Sequence, residues 1–145
     1  MSGKPPAQVE LEWTGGHAFS GGRANTTPRI ILDGDGKQGP SPVDGLLLAL
    51  AGCTGYDIVD ILEKRRTPLE KFSMQVRGDR FDGVPSRITS IHLVYNMTGA
   101  AVERVHAERA VDLALTKYCS VRDSIDPNMP ITYDIVLNGE RGQTQ

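Results

Sequence analysis

Long uninterrupted apolar runs are missing from this 145-residue sequence. The longest, Gly45 to Cys53, falls far short of the roughly 20 residues a helix needs to cross a bilayer, so no membrane partner is expected. The first ten residues lack an apolar stretch and contain Pro5 and Pro6. They do not read as a signal peptide, and the cytoplasm is the expected location. Basic clusters are missing too. Against 18 Asp and Glu stand 16 Lys and Arg, a formal net charge of -2, which argues against nucleic acid as a partner. His17, His92 and His106 are scattered singly, with neither the C-x-x-C nor the H-x₃₋₅-H spacing of a zinc site, so no metal is expected. Thioredoxin-like chemistry would need C-x-x-C as well. Only two cysteines are present. In a reducing compartment such a pair is expected to be free, metal-binding or redox-active rather than a permanent bridge.

What is present fits one domain over 1–145, with residues 1–7 as a frayed tail. Val9, Leu11 and Trp13 alternate with polar neighbours and predict a half-buried strand. Gly15-Gly16 is a turn, His17 to Ser20 a second strand interrupted by Gly21-Gly22, and Arg29 to Asp33 a third; an antiparallel meander joins them. Asp33-Gly34-Asp35-Gly36 looks superficially like a calcium loop but lacks a closing glutamate, and it reads as turn chemistry. After a long helix come strands around Phe72, Met74, Val76 and around Ile91, Leu93, Tyr95, Met97. A second helix is expected from Ala101 to Cys119, with Val102, Val105, Leu113, Leu115 and Tyr118 on one face. Ile131, Tyr133, Ile135 and Leu137 make a last strand. The order is βββ-α-ββ-α-β, an α+β domain.

The long helix is the clearest element. Ser41 precedes Pro42 as an N-cap before a first-turn proline, and Asp44 stands where a capping-box partner belongs. The helix is expected to run to about Arg66, some 24 residues and about 36 Å. Lys64-Arg65-Arg66 suits its C-terminal dipole and Pro68 ends it. From Leu46 to Cys53 it is apolar nearly all round, so it needs cover on every side. A second copy of the chain is the economical cover; the smaller helix is the alternative. Asp57 and Asp60 read as its solvated face.

Cys53 follows Ala51-Gly52 inside this helix, and Gly52 costs roughly 1 kcal/mol of helix propensity. Such a glycine makes sense where a helix or a substrate approaches the backbone closely. Cys119 lies in Lys117-Tyr118-Cys119-Ser120-Val121. The separation is 119 − 53 = 66 residues, so only tertiary structure brings the two together. Each is either a small buried hydrophobe or one half of a distant dithiol pair. In the second case one thiolate becomes a sulfenic acid, the other condenses with it to a disulfide, and an external thiol reduces the bond.

The stretch from Ser41 to Thr54, with proline opening the helix and a cysteine eleven residues on behind small residues, resembles the central-helix signature of the OsmC/Ohr family. Arg109 to Leu113 followed by Lys117 to Val121 resembles the family's second-cysteine region, and the likeness is nearest to the YhfA-like branch. It covers about Val9 to Leu137. The resemblance implies an OsmC-like intertwined homodimer with sites at the subunit interface. It implies reduction of organic hydroperoxides, with Cys53 peroxide-reactive and Cys119 resolving, as an antioxidant activity in the oxidative stress response. The implied partners are a second copy of the chain, a hydroperoxide, and an external thiol or dithiol reductant; no metal or organic cofactor is implied.

One departure stands out. The family's peroxidases carry a glutamate directly after the helix-opening proline, where it orients an arginine that activates the thiolate. Here that position is Val43, and the acid, Asp44, lies one residue later on the helix face opposite Cys53. Asp44 reads as a cap, the alternative being that it serves the cysteine of a second copy. Arg23 and Arg29 are candidate activators. Trp13 and Tyr118 are expected in the core or at an interface, with Tyr118 also a candidate pocket wall. The alternative function is a dimeric protein of the same fold that binds a small apolar ligand or senses redox state without turnover.

Overall fold

The computed structural model describes residues 3–142, in which two sheets and three helices follow one another as an α+β chain. Met1 and Ser2, part of the expected tail, lie outside the described residues; residues 3–7 are irregular and exposed. The chain resolves into two compact units that divide inside the long helix, between Leu46 and Leu47.

The first unit holds strands β1 (Val9–Gly15), β2 (Ala18–Arg23) and β3 (Ile30–Asp33), paired antiparallel in that order. The meander is as expected, with two differences. The second strand continues through Gly21-Gly22, and both glycines are there because backbone passes close by. A Cβ on Gly21 would stand 2.8 Å from Glu10 O, and one on Gly22 2.3 Å from Pro28 O. Strand β1 is exposed rather than half-buried: Trp13 keeps 65% of its surface, and Val9 and Leu11 are exposed with it. Period-two alternation identifies which residues share a face, not what covers that face. Register puts Leu11, Trp13, Phe19, Gly21, Ile30 and Leu32 on one side, where five of them line an apolar recess and only Trp13 stands outside it. After β3 the Asp33 carboxylate accepts from the backbone amides of Asp35, Lys37 and Gln38. The loop is the expected turn, and those amides hold the Asp33 carboxyl below its ordinary range.

Helix α1 (Pro42–Lys64) starts where the sequence says. Asp44 N–H donates to Ser41 Oγ at 3.1 Å and Ser41 N–H donates to Asp44 Oδ2 at 2.9 Å, a reciprocal capping box built with aspartate. Its end comes two residues early, with Arg66 in the left-handed region at φ 68 and Thr67 N–H bonded back to Leu62 O.

In the second unit β4 (Lys71–Arg80), β5 (Ile88–Thr98) and β6 (Ile131–Leu137) form a sheet completed by the two-residue β7 (Glu140–Arg141), which the sequence reading did not include. Strands β4 and β5 are antiparallel, while β6 runs parallel to β5, as a helical crossover requires. Ile58 and Leu62 of α1, Leu93, Tyr95 and Met97 of β5, and Ile135 of β6 are among the residues that form the core. Gly55 lets α1 settle on β4: a Cβ there would meet Met74 Cε at 2.8 Å.

The second helix is shorter than expected. Helix α2 spans Arg104–Leu113, a π-helical turn continues over Ala114–Tyr118, and α3 (Ser120–Asp123) follows. Its inner face is Ala107, Ala110, Val111 and Ala114; Val105, expected there, is exposed. Tyr118 is exposed as well.

Helix α1 remains partly bare. An 18-residue window has a mean hydropathy of 1.6, yet only 33% of it is buried. Leu48 keeps 58% of its surface, and nothing lies within 4 Å of where a Cβ on Gly52 would stand. Among the described residues, then, nothing makes the close approach that Gly52 would permit.

Candidate active site

Cys53 and Cys119 are side-chain neighbours close enough to influence each other's ionisation, both with free thiols. Helix α1 supplies Cys53, half-buried on the flank of the helix. Cys119 arrives by a different route. Its N–H bonds to Ala114 O at 2.9 Å, five residues back, which closes the π-turn, and the chain then extends through Cys119 at φ -75, ψ 108. Turns of this width recur where a helix must deliver a functional residue off its ordinary path. The Cys119 sulfur accepts the Arg122 N–H at 3.2 Å and so caps α3. The Arg122 guanidinium donates to Asp126 O and Pro127 O, tying down the loop toward β6.

The two sulfurs have different surroundings. Cys119 is buried, and that burial, followed by the neighbouring Cys53 thiol, pushes its pKa up to about 11. It therefore holds its proton at neutral pH. Cys53 is the more accessible of the two.

Beneath the pair sits Tyr95, fully buried, whose hydroxyl donates to Thr54 Oγ1 at 2.9 Å. Thr54 in turn donates to Ala51 O at 3.2 Å, so the turn of α1 on either side of Cys53 is anchored to the sheet. The Tyr95 ring lies 6.2 Å from Phe72, stacked, and 6.2 Å from Tyr133, edge-on. Burial, and after it the neighbouring Cys119, drives the Tyr95 phenol far above its usual range.

Asp57 lies one turn beyond Cys53. It is half-buried, not solvated as expected, and its Oδ2 has no hydrogen-bond partner. Burial and the neighbouring Asp60 raise its carboxyl above the usual range. Asp60 is itself paired with Lys64 at 2.9 Å. The candidate arginines behave differently: Arg29 is committed to Glu10 at 3.1 Å within the first unit, and Arg23 is exposed at the end of β2. Among the described residues no group of three or more His, Cys, Asp or Glu is placed to hold a metal ion. A mainly apolar cavity of about 410 Å³ opens on α1 beside β4, lined by Gly52, Tyr56, Val59, Phe72 and Met74 among others.

Sequence reasoning named Cys53 and Cys119 as candidates; the structure adds Thr54, Tyr95 and Arg122, whose hydrogen bonds hold the segments that carry them. Tyr95 was legible as an inward strand residue, but no local signal connects it to Thr54.

An α+β chain with this helix and this dithiol has well-defined relatives by shape. It superposes on a hypothetical protein from Aquifex aeolicus VF5 with a TM-score of 0.81 and 25% identity, covering 92% of this chain and 97% of that one. It shares its fold with the organic hydroperoxide resistance protein OhrB of Bacillus subtilis, TM-score 0.62 and 17% identity, covering 90% and 97%. By sequence, residues 34–134 match the family described as OsmC-like protein, and the chain belongs to that family. Protein YhfA of Escherichia coli K12 is 33% identical over 132 residues, covering 89% of this chain and 98% of that relative.

Proposed function

We propose that this chain is a thiol peroxidase that reduces organic hydroperoxides through Cys53 and Cys119. The observation that carries the reading is the proximity of the two thiols across 66 residues of sequence, 119 − 53. Cys53, the accessible sulfur, attacks the terminal peroxide oxygen as a thiolate, becomes a sulfenic acid, and releases an alcohol. Cys119, held protonated, is poised to condense with the sulfenic acid, expelling water and leaving a disulfide. An external thiol or dithiol restores the pair. The substrate class is supported by the fold shared with a protein named for organic hydroperoxide resistance.

The reading includes a homodimer working in the cytoplasm as part of an antioxidant response. The exposed stripe of Leu48, Gly52 and Tyr56 on α1, continuous with its apolar cavity, is the kind of face a second copy buries.

The test is titration of the reduced protein with cumene hydroperoxide followed by mass spectrometry. The expected product has lost two hydrogens, with Cys53 and Cys119 in one cross-linked peptide pair. Cys53→Ser is expected to abolish peroxide consumption with a dithiol reductant. Two free thiols after excess peroxide, or undiminished consumption by the variant, would defeat the proposal.

A further inference from the structure

The flank of α1 that carries Cys53 also carries Asp57, Asp60 and Lys64, since residues four apart along a helix stack on one side with Cβ atoms about 5–6 Å apart. The segment around Cys119 is an electrostatic neighbour of this flank, Cys119 of Cys53 and Tyr118 of Lys64. Asp57 stands one helical turn from Cys53 on the same flank. An aspartate there gains nothing obvious for stability. Its Oδ2 is cut off from water and accepts no hydrogen bond, whereas Asp60, one turn on, has Lys64. A buried carboxylate oxygen without a donor is costly as an anion and much less so as a carboxylic acid.

We propose that Asp57 is a catalytic residue: the general acid that protonates the leaving oxygen when Cys53 cleaves a hydroperoxide. The role deepens, and rests on, the peroxidase reading given above. In the step, the Cys53 thiolate forms an S–O bond to the terminal oxygen of R–O–OH as the O–O bond breaks. The electron pair of that bond goes to the alkoxide oxygen, which takes the Asp57 proton and departs as ROH. Sulfur is oxidised by two electrons and the peroxide reduced by two. Cys53 is left as a sulfenic acid and Asp57 as a carboxylate, which regains a proton from solvent before the next turnover. Burial and the negative neighbour Asp60 both favour the protonated starting form. Positioned proton donors contribute about 10²–10⁴-fold where the leaving group is strongly basic, as an alkoxide is.

That dependence on leaving-group basicity provides the test. A peroxyacid expels a carboxylate, which needs no proton, whereas cumene hydroperoxide expels an alkoxide, which does. Asp57→Asn keeps the shape and removes the acid. The rate constant for Cys53 oxidation is to be measured by stopped flow for wild type and D57N with both oxidants. The expected result is a loss of about 100-fold for cumene hydroperoxide with peroxybenzoic acid oxidation changed less than about threefold. Asp57→Glu, which keeps an acid on a longer arm, is expected to recover part of the loss with cumene hydroperoxide. Equal losses with both oxidants, or no loss with either, would overturn the role of Asp57 while leaving the peroxidase standing. A wild-type protein inert to both oxidants would overturn the peroxidase and this role together. Retained peroxyacid oxidation in D57N also shows that the variant is folded at the site.

Discussion

The hydroxyl of Tyr95 donates to Thr54 Oγ1 at 2.9 Å, so the residue next to Cys53 is tied to the middle of β5 through a wholly buried hydrogen bond. The sheet thus fixes the height and rotation of the helix at the cysteine, and Thr54, bonded onward to Ala51 O, carries the constraint back across the helical turn. Sites held this way derive their geometry from regular elements rather than from loops.

Tyr95→Phe removes the donor and keeps the ring between Phe72 and Tyr133. Thr54 retains its bond to Ala51 O, so the expected cost is about 1–2 kcal/mol, at the lower end for a buried pair that loses one member. Urea unfolding at constant m-value measures it. Tyr95→Ala also empties the ring's volume, and about 3–5 kcal/mol is expected.

Asp44→Ala removes the side-chain arm of the capping box at the start of α1, the bond from Ser41 N–H, and keeps the backbone arm to Ser41 Oγ. The expected loss is about 1 kcal/mol of stability. Peroxide consumption per folded molecule is expected to stay unchanged, because the acid's hydrogen bonds are with Ser41. A large drop in turnover at full folding would show Asp44 acting on chemistry instead.

Leu48→Asp places a charge on the bare stripe of α1, where Leu48 is already 58% exposed within one chain. The effect on an isolated chain's stability is expected to be small, and the effect on self-association large. In sedimentation velocity the wild type is expected to run as two copies of the 15.7 kDa chain and the variant as one.

Cys119 predicts the pH dependence of stability. Its folded-state pKa is raised from 9.0 to about 11, so between those values the folded chain keeps a proton that the unfolded chain has lost. The unfolded state binds fewer protons there, and stability falls as pH rises. The contribution is complete below about pH 9 and gone above about 11. Cys119→Ser retains an acceptor for Arg122 N–H and does not titrate. The melting temperature of wild type minus that of the variant is therefore expected to shrink across this window, in reduced protein.

Much of this was legible in the chain itself. Ser41, Pro42 and Asp44 announce α1 because capping chemistry is local, and the alternation around Phe72 and Ile91 announces β4 and β5. The two cysteines stand out because little else in the sequence bears redox chemistry. What stayed hidden is non-local. A π-turn shifts one hydrogen bond without any residue signature, so the helix before Cys119 reads as ordinary. The aspartate at 57 sits among charges on a helix and reads as solvated. How far water reaches it depends on the packed chain, which a helix's own pattern does not show. Trp13 and Leu11 alternate correctly, yet a strand's own pattern does not say what, if anything, rests on its apolar side.

The sulfur of Cys119 serves as the cap that begins α3. In the proposed disulfide it would lie about 2.05 Å from the Cys53 sulfur, and its hold on the Arg122 amide is expected to loosen. Arg122 in turn grips the carbonyls of Asp126 and Pro127, so a stitch slipped at the sulfur is passed along to the loop that feeds β6. In the proposed cycle, oxidation is expected to show as faster amide exchange at Arg122, and reduction to reverse it.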